Sequence, residues 1–253
     1  MSEIFHVHTR RCGHASDEAE TDYIAKAIEL GATGMIFTDH APFPGDPFRN
    51  RMKMSELPEY LMCLSDLSVR YERLIRIQAG LEIEYHLKFT DYYKELKESP
   101  RLDLLVLGQH FSETETGYPY ELRNRSEEHK YLAEGMMKGM ETGFFEVVAH
   151  PDQIFRRLKE WNEEAERIAA EIKQCALENR VVIEYNLRNV IGRKKKRGFR
   201  PEFWEDLPEG TKVIYGVDAH SVAELEEGFL LQKEHYQSLG ECYEERGLGQ
   251  DMD

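Results

Sequence analysis

Seven short apolar runs, each followed by a stretch with helical spacing, constrain this chain more than any other feature. The runs are residues 4–8 (IFHVH), 33–38 (TGMIFT), 75–84 (ending GLEIE), 104–108 (LLVLG), 145–149 (FEVVA), 181–186 (VVIEYN) and 213–217 (VIYGV). Between them, apolar residues recur three and four apart, as in Ile24, Ala27, Ile28 and Leu30 before Gly31, and in Leu57, Leu61, Leu64 and Leu67. That spacing predicts helices. Helices are also expected over residues 55–74, 90–98, 126–143 and 162–178, and from about residue 222. Strands read as near-continuous apolar runs when both faces are covered, which is the condition of a parallel sheet between helices. The fold class expected is therefore α/β, and seven such units are expected to close into a barrel.

Composition supports one large domain. The 253 residues are 41% hydrophobic, enough for a substantial core, and no internal repeat or linker divides them. A single domain over residues 1–253 is expected, with a loosely ordered tail from about residue 239, where apolar content falls. The net charge of −15 argues against a general nucleic-acid partner, because phosphate backbones require a basic face. A small anionic substrate is still compatible, since bound cations invert the local field. Four cysteines (Cys12, Cys63, Cys175 and Cys242) stand far apart with no Cys-x-x-Cys pair, so no disulfide framework or zinc ribbon is expected. The first strand starts by residue 4, so no signal peptide is expected, and no run reaches the length of a membrane span. A cytoplasmic protein without a membrane or nucleic-acid partner is expected, and nothing in the sequence sets its oligomeric state.

The strand ends carry the chemistry. Seven of the ten histidines (His6, His8, His14, His40, His110, His150 and His220) fall at the C-terminal end of a predicted strand or just after it, with Asp39, Glu82 and Asp218. In a parallel barrel those ends gather at one mouth, where such folds build active sites. Period-two alternation is expected to place His6 and His8 on one face, and likewise Glu82 and Glu84. Two carboxylates on one buried face need a cation beside them; the other reading is a solvated strand face. Imidazoles mixed with carboxylates suit Zn, Mn or Fe better than the all-oxygen ions. About ten candidate donors are too many for one ion.

In order, His6-x-His8, His14, Asp39-His40, Gly80-x-Glu82, His110, His150 and Asp218-x-His220 resemble the motifs of the PHP (polymerase and histidinol phosphatase) superfamily. The resemblance runs from residue 6 to residue 220 and implies a distorted seven-stranded parallel (β/α)7 TIM-like barrel with a trinuclear metal centre, and hence three divalent ions. The opening HxHT with Cys-Gly-His and the GLEIEY segment are most similar to the monofunctional histidinol-phosphate phosphatases. On that resemblance, His6, His8, Glu82 and Asp218 would hold a first ion, with Glu82 bridging. His14, His40 and His220 would hold a second, and Glu82, His110 and His150 a third. The chain departs from the pattern in a basic run, Arg193 to Arg197, after strand six, and in Pro151 after His150.

The implied reaction is hydrolysis of a small phosphorylated metabolite, L-histidinol phosphate in histidine biosynthesis, by a metal-bound hydroxide. Another phosphorylated metabolite is the alternative, and a nuclease or a non-catalytic metal-stabilised module stand behind it. Asp39 is expected either to orient the His40 imidazole or to act as a general acid. Arg156, or Arg157 in its place, and Arg188 are the expected phosphate clamps, since a guanidinium fork matches two phosphate oxygens. The basic segment from Arg193 to Arg200 is either a solvated loop or a substrate lid.

Overall fold

In a computed structural model, residues 3–111, 127–191 and 198–239 are described. The polar loop after strand four, the basic run Arg193 to Arg197 and the tail beyond residue 239 lie outside them. The seven expected strands form: β1 (Glu3–Val7), β2 (Gly34–His40), β3 (Arg76–Ile83), β4 (Leu104–Leu107), β5 (Val147–Val148), β6 (Val182–Asn186) and β7 (Val213–Ala219). All pair in parallel in sequence order, and β7 closes onto β1, giving the (β/α)7 barrel. Six longer helices, α1 (Glu20–Glu29), α2 (Leu57–Tyr71), α3 (Thr90–Lys97), α4 (Glu128–Glu141), α5 (Glu163–Glu178) and, last in the chain, α7 (Val222–Leu239), cover it. A single turn, α6 (Leu187–Val190), follows β6; four residues are too few to show any periodicity in a sequence.

The apolar core divides into two layers. Inside the barrel, Phe5, Ile36, Leu104, Val106, Val147 and Ala149 pack in a small cluster. The larger layer lies between strands and helices, where Ile4, Val7, Phe37, Leu81, Leu105, Val148 and Val217 meet residues such as Ile24, Leu64, Met136 and Ile172. Inward and outward residues thus alternate along the strands, β1 excepted, and a chain of this pattern buries both faces. Beyond the inner cluster, toward the strand ends, inward positions are occupied by Thr38, His40, Glu82, Glu84 and Glu184, all buried.

Two local devices complete the mouth. Phe5 already faces inward, so plain alternation would send His6 into the helix layer. The pairing register instead shifts between Phe5 and Val7 on both sides of β1, and His6 takes a φ of 71°. This bulge inserts an extra residue and re-aims the side chain, so the pairing of His6 with His8 comes from a bulge and not from simple alternation. The second device is a missing side chain. A Cβ on Gly216 would collide with the Glu184 carboxylate, and one on Gly108 with the Glu82 carboxylate. Both glycines leave room for a buried acid on a neighbouring strand.

Gly216→Ala is expected to displace Glu184 and cost about 1–3 kcal/mol, the usual penalty for overpacking. Urea unfolding of the variant measures it; a midpoint equal to that of the unmodified protein would show that Glu184 has space to move.

Candidate metal centre

The site is built around Glu82, which is 1% exposed at the C-terminal end of β3. Its Oε2 lies 3.0 Å from His40 Nδ1, 3.4 Å from His6 Nε2 and 3.5 Å from His8 Nε2. Its Oε1 lies 2.9 Å from His150 Nε2 and 3.5 Å from His110 Nε2. One carboxylate therefore presents separate oxygens to two sets of imidazoles. Asp218 Oδ1 adds contacts of 3.5 Å to His8 Nε2 and 3.4 Å to His220 Nδ1. His14 Nε2 sits 2.9 Å from His220 Nε2.

Four rings are steered from behind. His6 Nδ1 lies 2.5 Å from Glu184 Oε1, His14 Nδ1 lies 3.0 Å from the Cys12 carbonyl, His110 Nδ1 lies 2.9 Å from Glu84 Oε1, and His220 Nδ1 lies 3.0 Å from the Asp218 carbonyl. At His6, His14 and His110 the acceptor is an oxygen, so Nδ1–H donates to it and the Nε2 lone pair is left to point into the cluster. Glu184 also accepts from the His150 backbone N–H at 2.8 Å. His6, His150 and Asp218 adopt left-handed backbone, with φ of 71°, 32° and 46°. Non-glycine residues do so at a cost, and such strain collects at sites where side-chain direction matters.

The electrostatics favour ligating states at Glu82, His8, His40 and His220, and protonated imidazoles at His6 and His150 beside the carboxylates. Burial opposes ionisation of Glu82, but the imidazoles of His40, His6 and His110 outweigh it and hold this carboxyl well below the usual range. Burial pushes His8 well down, aided by His220 and His40, and takes His220 to about 3 despite Asp218. His40 is lowered for the same reason. His6 goes the other way: Glu184 and Glu82 overcome the burial effect and raise it. Neutral imidazoles and ionised carboxylates are the forms that bind metals.

The residues fit such ions on a separate ground. His6 Nε2, both ring nitrogens of His8, His40 Nδ1 and Glu82 Oε2 are buried and make no hydrogen bond among the described residues. A buried polar atom left unsatisfied costs about 1–3 kcal/mol, and four of them, His6 Nε2, His8 Nε2, His40 Nδ1 and Glu82 Oε2, gathered together point to cations that satisfy them. The donor atoms of His6, His8 and Asp218 lie within 4.8 Å of one another, as do those of His14, His40 and His220, of His6, Glu82 and His150, and of His8, His40 and Glu82.

The cluster opens into a cavity of about 790 Å³, lined also by Arg49, Arg51, Phe111, Gln153 and Arg188. Arg188 reaches His220 Nδ1 at 2.8 Å and Asp218 Oδ1 at 3.4 Å. Arg156 is not in this lining: Glu128 at the start of α4 draws its guanidinium away at 3.1 Å, and Glu128 binds Arg157 as well, at 2.6 Å. Asp39 also lies elsewhere than expected. It alternates outward from His40 and accepts hydrogen bonds from Thr9, at 2.7 Å from N and 2.5 Å from Oγ1, so it neither orients His40 nor faces the cavity. Burial raises its pKa to about 6. Glu84 is no solvated residue: Arg51 clamps both its oxygens. Of the basic segment, Arg200 is described, and its guanidinium donates to the Phe155 carbonyl at 2.9 Å.

Sequence reasoning does not single out Glu184 or Arg51. Gly216 is a usable signal for the first, because a glycine inside a buried strand marks a close approach by a neighbour. Nothing in the spacing around Arg51 distinguishes it from Arg49.

A parallel barrel whose C-terminal mouth gathers buried imidazoles around shared carboxylates is the class of protein that fold and site define. The chain belongs to the PHP domain family, whose model matches residues 5–188. A histidinol-phosphatase of Bacillus subtilis (strain 168) is 31% identical over 121 residues, which is 45% of this chain and 45% of that protein; the match thus spans less than half of the relative. Among solved structures, hisK from Listeria monocytogenes superposes with a TM-score of 0.75 at 19% identity, covering 90% of this chain and 99% of that one. Histidinol phosphate phosphatase from Lactococcus lactis, complexed with zinc, L-histidinol and phosphate, gives 0.69 at 20% identity, covering 92% and 93%. At these identities the structural likenesses establish the fold.

A pH dependence follows from the carboxylates. Glu82 and Glu84 are held below their ordinary pKa in the folded chain, Glu84 against burial by Arg51 and His110. A depressed folded pKa contributes stability above the unfolded value, lost as pH falls. The metal-free protein is therefore expected to lose urea resistance progressively below about pH 4.5, the region where unfolded glutamates take up protons. Glu84→Gln should flatten that slope; an unchanged slope would mean that Glu84 is not held ionised.

Proposed function

We propose that this protein is a metal-dependent phosphomonoesterase acting on L-histidinol phosphate, and so serving histidine biosynthesis. The observation that carries the reading is Glu82, buried with one oxygen facing His6, His8 and His40 and the other facing His110 and His150. That arrangement suits a bridging ligand in a centre of three divalent ions, Zn, Mn or Fe. His6, His8, Glu82 and Asp218 would hold one ion, His14, His40 and His220 a second, and Glu82, His110 and His150 a third. When bound, the ions supply Lewis acidity toward the phosphoryl oxygens and lower the pKa of water at the site.

The chain's own residues do the remaining work. Glu184 and Glu84 fix the rings of His6 and His110. Arg188, on the cavity wall with its Nη1 at Asp218 and its Nη2 toward Glu224, is the guanidinium we assign to the phosphate oxygens, while Arg156, paired with Glu128, takes no part. Phe111 and Pro47 give the same cavity an apolar wall for the leaving group. The choice of substrate rests on the relatives named histidinol-phosphatase and on the Lactococcus lactis structure that holds zinc, L-histidinol and phosphate. The spaced cysteines, of which Cys12, Cys63 and Cys175 are free, fit a reducing cytoplasm. No helix among the described residues is long and apolar enough to cross a membrane. A nuclease reading is disfavoured by the −15 charge.

Phosphate release by the zinc- or manganese-loaded protein, compared across L-histidinol phosphate, other phosphorylated metabolites and p-nitrophenyl phosphate, tests the substrate. A kcat/KM for L-histidinol phosphate well above the others is expected; one no better than that for the aryl ester would move the activity to another metabolite. Glu82→Ala is expected to bind at least two fewer ions per chain by elemental analysis, and an unchanged stoichiometry would remove Glu82 from the bridge.

A further inference from the structure

One charged side chain of the cavity wall is anchored more firmly than a surface arginine requires. Arg51 leaves the loop between β2 and α2 with its side chain 6% exposed. Its Nη1 donates to Glu84 Oε2 at 2.9 Å and to the Ala41 carbonyl at 3.0 Å, and its Nη2 donates to Glu84 Oε1 at 2.9 Å. Its guanidinium carbon lies 5.4, 5.3 and 5.4 Å from the ring centres of Phe43, Phe48 and Phe111. Glu84 is fully buried, and the oxygen that takes Nη2 also lies 2.9 Å from His110 Nδ1. The far nitrogen of that ring, Nε2, faces Glu82 Oε1 at 3.5 Å. A continuous line therefore runs from guanidinium to carboxylate to imidazole to the carboxylate at the centre of the cluster.

We propose that Arg51 is a positioning residue for the metal position between Glu82, His110 and His150, acting through Glu84 on His110. The inference rests on the metal centre proposed above. A carboxylate buried against an imidazole alone is costly to keep ionised and free to rotate. The bidentate fork fixes both Glu84 oxygens in one plane, so Oε1 is always presented to His110 Nδ1–H and the Nε2 lone pair always faces inward. The three rings favour a guanidinium at this position. A flat, weakly hydrated cation packs against aromatic faces, whereas a lysine ammonium makes a point contact and cannot span both oxygens and the Ala41 carbonyl. The same contacts tie the β2–α2 loop, which also brings Arg49 and Pro47 to the cavity, to the occupancy of one metal position.

The test uses Arg51→Met, Arg51→Lys, His110→Ala and the double variant Arg51→Met/His110→Ala, each loaded with zinc and dialysed. Bound zinc is counted by elemental analysis, folding is followed by thermal unfolding, and phosphate release is measured as zinc is titrated back. Arg51→Met and Arg51→Lys are expected to retain two ions in place of three, with the weakest site about 10- to 100-fold weaker, the range for loss of a group that orients a ligand. Excess zinc should restore most of kcat with KM unchanged, and the double variant should lose no more affinity than His110→Ala alone. A lowered melting temperature with wild-type zinc count and zinc dependence would make Arg51 purely structural and overturn the proposal, as would additive losses in the double variant. Should Arg51→Met fail to fold, Arg51→Lys decides on the same readouts. If His110→Ala also leaves the zinc count unchanged, it is the underlying metal centre, and not the role of Arg51, that fails.

Discussion

A single buried carboxylate sets the terms for the rest of the molecule. Glu82 has no solvent to share its charge, and five imidazoles stand within 3.5 Å of its two oxygens. Such a group persists inside a protein only where charge partners are held against it in fixed positions. The barrel supplies that fixity. Parallel strands end at one mouth, the outer helix layer buries one face of each strand, and the inner apolar cluster is confined to the opposite end, where Phe5, Ile36 and Val106 fill it. The mouth is thus free to hold polar side chains without breaking the core.

Precision at the mouth comes from local irregularity. His6, His150 and Asp218 all have positive φ, and β1 bulges where His6 must turn inward. Gly108 and Gly216 give up side chains so that Glu82 and Glu184 fit against neighbouring strands. Behind the rings of His6, His110 and His14, Glu184, Glu84 and the Cys12 carbonyl select the nitrogen that faces the cluster. These groups touch no reacting atom, but they decide where each lone pair points.

Much of this is legible in the sequence because period and position carry it. The β-α alternation predicts the parallel barrel, and the placement of histidines at strand ends predicts that they gather. What the sequence does not show is geometry that depends on which way a side chain leaves the strand. Asp39 precedes His40 and reads as its partner, yet alternation turns it to Thr9. Arg156 follows His150 closely enough to reach the mouth, yet Glu128, on an element distant in sequence, captures it. Glu184 is hidden because an acid in an apolar run has no spacing signature, and Arg51 because its significance lies in contacts with Glu84 and three rings that only the fold assembles.

The central claim is that Glu82 is shared between metal positions. Anomalous diffraction at the zinc edge from crystals grown with zinc and phosphate tests it most directly. The account predicts three peaks, with each Glu82 oxygen directed at a different one and phosphate beside Arg188. A single peak, or peaks that leave either oxygen of Glu82 without a metal contact, would contradict it.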